Sequence, residues 1–147
     1  MDAALINSVN LQFKSIPENV SLARVVVASI GAQVDMTVNE LDEIKVAVSE
    51  AVTNAIIHGY NNNPSQIVEL QVDMYHDRLV IQVIDRGIGI GDVNKELECI
   101  GVAADYEHMG LGFAFMKEFM DDVEINSEQN KGTRITMVKK LVFRKES

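Results

Sequence analysis

With 147 residues, 47% apolar and 24% charged, the chain has the makings of one globular domain with a proper core, which excludes a disordered chain. A net charge of −9 argues against direct nucleic-acid binding, because phosphate recognition rests on dense Lys and Arg; a partner with a basic face suits it better. No run of about 18 apolar residues offers a membrane span, no basic-then-apolar opening reads as a secretory signal, and the single cysteine, Cys99, forms no internal disulfide, which fits a reducing cytoplasm.

In chain order, Val9, Leu11 and Phe13 alternate with polar residues and predict a short strand over 9–14. Pro17 suits the first turn of a helix, and Ser15 and Glu18 have capping-box spacing. A mostly apolar helix then runs over 20–33 and stops near Gly31, with Arg24 as its only basic residue. Thr37 and Glu40 form a second capping-box spacing that opens a long helix ended by Gly59. Asn61 to Pro64 is a polar loop. Residues 67–75 and 79–84 alternate well and predict a hairpin with one face on a core. The stretch 92–109 shows no clear period, as in a functional lid or mobile loop. Gly110-Leu111-Gly112 is expected to open a short helix through Met120, and strands are expected over 123–126 and 133–143.

The long helix, L41-D-E-I-K-V-A-V-S-E-A-V-T-N-A-I-I-H-G-Y60, organises the rest. Ile44, Ala47, Val48, Ala51 and Ala55 make one apolar face, while Glu50, Asn54 and His58, spaced four apart, stack on one polar stripe. On this helix alone, a solvated polar edge and a chemical site are equally good readings. Downstream, D85-R-G-I-G-I-G91 puts three glycines at alternate positions after a strand, a backbone able to approach a ligand closely. Gly110 and Gly112, read as a helix start, leave N–H groups free to hold an anion. Each glycine pattern by itself also occurs in ordinary turns. The joint order is far more specific: E-x-x-x-N on a helix, D-x-G-x-G after a strand, a lid, G-x-G, then G-T before a strand.

In that order the motifs resemble the histidine-kinase-like ATPase superfamily, whose members share a Bergerat-type nucleotide-binding fold. Within it the chain is most similar to the anti-sigma serine kinases of endospore-forming bacteria. S49-E-A-V-T-N-A-I-I-H-G-Y60 carries most of the likeness, with N130-K-G-T133 and F119-M-D-D-V123, and it extends from Val9 to Leu141. The resemblance implies a single domain over 1–147, an α+β two-layer sandwich with helices on one face of a mixed, mostly antiparallel sheet, and a mobile ATP lid at about 91–109.

The resemblance also implies roles. Asn54 would bind Mg²⁺ through its amide oxygen, a hard donor for a hard ion. Glu50, one turn earlier, would be the general base. Asp85 would accept a hydrogen bond from the adenine amino group, Gly87 and Gly89 would let the backbone lie against the base, Gly110 and Gly112 would meet the phosphates, and Thr133 would support the adenine loop. His58 acquires no catalytic task and reads as a packing or capping histidine near a helix C-terminus. No metal cluster is expected from three scattered histidines and one cysteine.

As a whole, the implied protein binds and inhibits a sigma factor and uses Mg-ATP to phosphorylate a serine on an anti-anti-sigma protein. A homodimer is implied too, with Arg24 near the partner-facing surface. One departure from the family stands out: E98-C-I-G-V-A-A-D-Y-E-H-M109 has no Thr and no Arg, with His108 where relatives carry a basic residue. That keeps open a nucleotide-gated binding module without kinase turnover. A detached histidine-kinase ATPase domain is a further alternative, which expects an upstream helical hairpin; this chain opens directly on its first strand.

Overall fold

The computed structural model describes residues 4–89 and 104–141, with side chains described outside 104–110. The elements are β1 (Leu5–Lys14), α1 (Glu18–Gly31), α2 (Val38–Asn54) continued by a π-helical turn (Ala55–Gly59), β2 (Ile67–Tyr75), β3 (Arg78–Asp85), α3 (Ala104–Phe119), β4 (Asp122–Glu128) and β5 (Gly132–Lys140). The strands form one sheet in the order β1-β2-β3-β5-β4. All pairings among the described residues are antiparallel, where the sequence reading allows a mixed sheet.

Strict alternation fixes which side of the sheet is buried. Val68, Leu70, Val72 and Met74 of β2, and Leu79, Ile81 and Val83 of β3, point inward. In register, Val72 pairs with Ile81 and Ile81 with Met137, so the apolar rows continue across β5. The opposite face carries polar groups that bond one another: Ser8 Oγ donates to Asp73 at 2.6 Å, and Asn10 Nδ2 donates to Glu69 at 2.8 Å.

The helices cover the apolar face, with α2 between α1 and α3. Thr37 caps α2 as the spacing predicts: its Oγ1 accepts from the Glu40 N–H at 3.0 Å, and the Glu40 carboxylate accepts from the Thr37 N–H at 3.0 Å. The predicted face Ile44, Ala47, Val48, Ala51 and Ala55 is buried. The other predicted box is absent. Pro17 is the N-cap of α1 without a side-chain cap, and Ser15 Oγ donates instead to the Asn63 carbonyl at 2.6 Å.

Two local differences matter for the site. After Asn54 the helix widens into a π-turn, so His58 leaves the phase of the Glu50–Asn54 stripe. And α3 begins at Ala104, so Gly110 and Gly112 lie inside a helix rather than at its start. Of the expected lid, residues 91–103 lie outside the described residues, and 104–109 are helical. Burial of Phe113, Met116 and Met120 against the core carries this helix despite its two glycines. Among the described residues no helix is long and apolar enough to cross a membrane.

Candidate functional site

Two clusters of predicted residues come together around the C-terminal end of α2 and the π-turn that continues it. At the first, Glu50 and Asn54 face α3. A Cβ built on Gly112 would lie 3.0 Å from Glu50 Oε2 and 3.5 Å from Asn54 Nδ2, so the bare glycine lets α3 approach both polar groups. Asn54 is only 7% exposed, and its Nδ2 has no hydrogen-bond partner. A buried amide N–H without an acceptor is costly and marks a place where a ligand oxygen is wanted. Gly110 and Gly112 offer no helix N-terminus here, since their N–H groups fall within α3; what Gly112 provides is space.

The second cluster joins the end of α2 to the loop after β3. Gly87 packs against Gly59 so closely that a Cβ on Gly87 would fall 1.9 Å from the Gly59 carbonyl oxygen. Gly89 has φ +75°, and a Cβ there would fall 2.1 Å from the Glu128 carbonyl oxygen. These contacts tie three segments: the Ile88 N–H donates to the Gly59 carbonyl at 3.1 Å, and the Asn130 N–H to the Ile88 carbonyl at 2.6 Å. Asp85 sits within this knot, 6% exposed, with its carboxyl group against Gly59. Burial pushes its pKa up to about 6, although the N–H groups of Gly87 and Thr133 both favour the ionised form. Thr133 pairs with Asp85 across the sheet, and its hydroxyl lies 2.9 Å from Ser127 Oγ.

Sequence reasoning missed Tyr60. It is buried, its hydroxyl donates to the Ile67 carbonyl at 2.5 Å, and it accepts from the Arg86 N–H at 2.7 Å. Burial raises the phenol above its usual value, so it keeps the proton it donates. The only signal was a tyrosine directly after the helix-ending Gly59; its partners lie 7 and 26 residues on. His58 is half-buried in the π-turn.

Arg24 stands apart from both clusters but shares a groove with one of them. Between α1 and α2 runs a cleft of about 880 Å³ whose lining includes Arg24, Val25, Ala28, Lys45, Val46 and Glu50. Glu50 is therefore common to the Gly112–Asn54 corner and to this groove. A smaller cleft of about 550 Å³ is lined in part by Asp85 and Thr133.

Could these residues hold a divalent cation? Among the described residues no three His, Cys, Asp or Glu side chains gather as a metal cage. One carboxamide in a polar corner fits an ion that keeps its waters and takes the rest of its ligands from a phosphate-bearing substrate, as Mg²⁺ does. The chemistry of the corner is thus compatible with a metal–nucleotide complex.

Comparison with known proteins agrees with this arrangement. Residues 13–139 match the family model of the histidine kinase-like ATPase domain. The anti-sigma F factor of Clostridium beijerinckii is 42% identical over 136 residues, covering 92% of this chain and 95% of the relative. That of Geobacillus kaustophilus is 46% identical over 136 residues, covering 92% of this chain and 93% of the relative. Among solved structures, the RsbU and RsbW domains of a Mycobacterium tuberculosis protein superpose with a TM-score of 0.64 at 17% identity, covering 92% of this chain and 32% of that one, a likeness of fold. The chain belongs to the histidine kinase-like ATPase family, within the group of the anti-sigma F factors.

Proposed function

We propose that this protein is an ATP-dependent serine kinase and sigma-factor antagonist: it binds a sigma factor and, with Mg-ATP, phosphorylates a serine on an anti-anti-sigma protein. The observation that carries the reading is the double position of Glu50, which lies against Gly112 and Asn54 on one side and lines the Arg24 groove on the other. One carboxylate then faces both the nucleotide and a protein docked along α1 and α2.

In this reading Asp85 accepts from the adenine amino group, with Thr133 supporting it and with Gly87 and Gly89 holding the loop close to the base. Asn54 offers its carboxamide to Mg²⁺ and the phosphates, beside Gly110 and Gly112. Mg²⁺, when bound with ATP, neutralises phosphate charge and orients the γ-phosphoryl group. Glu50 takes the proton from the serine hydroxyl as the new O–P bond forms and the bond to ADP breaks. Arg24, exposed in the groove, anchors the protein partner. The added phosphate brings about −1.5 to −2 charges, which the net charge of −9 disfavours, so the product is released. The resemblance that motivates this reading also implies a homodimer in the cytoplasm.

Radiolabelled ATP, Mg²⁺ and a candidate anti-anti-sigma protein test it. Serine labelling that Glu50→Ala abolishes supports the kinase. The segment Glu98–Met109, without Thr or Arg, favours the second reading, a nucleotide-gated binding module; nucleotide binding without transfer would select it. Label on histidine would point to a histidine-kinase domain instead.

A further inference from the structure

Tyr60 has no part in the chemistry proposed above, yet it occupies the joint between the two halves of the site. The backbone it bonds is the backbone next to Asp85. Its hydroxyl accepts from the Arg86 N–H at 2.7 Å and donates to the Ile67 carbonyl at 2.5 Å. Ile67 opens β2, and Arg86 directly follows β3, so one phenol links α2, β2 and the loop. The ring is 8% exposed and belongs to the core cluster, so its hydroxyl has a fixed origin.

The Asp85 carboxylate is held by two backbone N–H groups, those of Gly87 and Thr133. Gly87 N–H donates to Oδ1 at 3.0 Å, and Gly59 leaves it room, with a built Cβ falling 2.7 Å from the carboxyl carbon. The direction of the chain through Asp85, Arg86 and Gly87 therefore decides where the second carboxylate oxygen points. Register with Thr133 fixes the β3 side of that chain. On the far side, the Ile88 N–H reaches the Gly59 carbonyl. Between these anchors the bare Gly132 lets its backbone pack against the Asp85 carbonyl and Arg86 Cα, and the Tyr60 hydroxyl takes the Arg86 N–H of the same peptide.

We infer that Tyr60 is a positioning residue for adenine selectivity: its hydroxyl, seated between the Ile67 carbonyl and the Arg86 N–H, aims the Asp85 carboxylate at the amino group of the base. The inference rests on the reading of Asp85 as the adenine acceptor. It predicts a selective defect. Removing the hydroxyl while keeping the ring turns Asp85 away from the amino group, without touching the contacts of phosphates and ribose.

The test compares ATP with inosine triphosphate, which has a carbonyl where adenine has its amino group. Binding of each, with Mg²⁺, is measured by calorimetry for the full chain and for Tyr60→Phe, with Asp85→Asn as the reference for a lost carboxylate. The wild type is expected to prefer ATP. Tyr60→Phe is expected to lose about tenfold in ATP affinity, on the scale of one misaimed hydrogen bond to a charged group, while inosine triphosphate binding stays within about twofold. Faster exchange of the Arg86 amide proton in the variant would show the pin released. If Tyr60→Phe keeps the wild-type ATP preference, whether both affinities hold or both fall together, the inference is overturned and Tyr60 is merely structural. If the wild type itself binds the two nucleotides equally, the Asp85 reading fails and the inference falls with it; the two failures are thus distinct.

Discussion

Gly112 and Glu50 meet across the seam between α2 and α3: a Cβ on Gly112 would stand 3.0 Å from Glu50 Oε2. That distance is tight but not forbidding, because a side-chain carboxylate can give way. Gly112→Ala should therefore fold, helped slightly by the better helix propensity of alanine. It should nevertheless displace Glu50 from the corner it shares with Asn54. The expected outcome is a thermal midpoint within a few degrees of wild type and at least a tenfold loss of phosphoryl transfer in a labelling assay.

Asn54→Ala separates stability from function. The change removes a buried donor that has no partner and improves helix propensity, so stability should hold or rise by up to about 1 kcal/mol. Magnesium-dependent nucleotide binding should be lost in the same variant. Chemical denaturation and a nucleotide titration with and without Mg²⁺ read the two effects. A variant that is clearly less stable, yet still binds Mg-ATP, would remove Asn54 from the site.

Asp85 predicts a pH dependence of binding and of folding. Its pKa in the folded protein is raised from 3.8 to about 6, mainly by burial. Only the ionised carboxylate is a pure acceptor, so ATP affinity should fall as the pH drops below about 6 and should level off above it. For folding the sign is opposite: the folded state binds the proton more tightly than the unfolded chain. This group's favourable contribution is therefore full below pH 3.8 and is lost as the pH rises through about 6. Asp85→Asn should flatten both profiles. Calorimetric titrations and urea unfolding between pH 5 and 8 would check this; an ATP affinity unchanged across that range would contradict it.

Lys139 gives a prediction about stability alone. The residue is only 9% exposed, and its ammonium donates to the Phe119 carbonyl at the end of α3 at 2.7 Å and lies 3.4 Å from Glu43 of α2. Lys139→Met keeps the stem but strands that carbonyl. A loss of about 1–3 kcal/mol is expected, read as a lower midpoint in urea with an unchanged slope. Nucleotide affinity should stay within about twofold, since the residue lies far along β5 from Thr133.

Much of this architecture was legible because it is periodic. The hairpin 67–75 and 78–85 announces itself by alternation, and the apolar face of α2 by its spacing and its Thr37–Glu40 cap. The order of the glycine motifs singled out the candidate residues along the chain. What remained hidden was set by tertiary context. Gly110 and Gly112 look like a helix start, whereas packing of Phe113 and Met116 extends the helix back to Ala104. Ser15 has capping spacing with Glu18 but spends its hydroxyl on Asn63, 48 positions away. The bonds of Tyr60 were hidden because the groups it joins are backbone atoms, which carry no sequence signature.

The π-turn after Asn54 acts as a gear change. Up to that point α2 keeps α-helical phase, which aims Glu50 and Asn54 at Gly112. Beyond it the Tyr60 N–H bonds back to the Ala55 carbonyl at 2.9 Å, five residues away, and the chain leaves with a different azimuth. One helix thus serves two clients that a regular α-helix could not face together. Deleting a single residue between Ala55 and Gly59 would turn the five-residue bond from Tyr60 to Ala55 into an ordinary four-residue one and remove the irregularity. The irregular turn is where this chain converts length into direction.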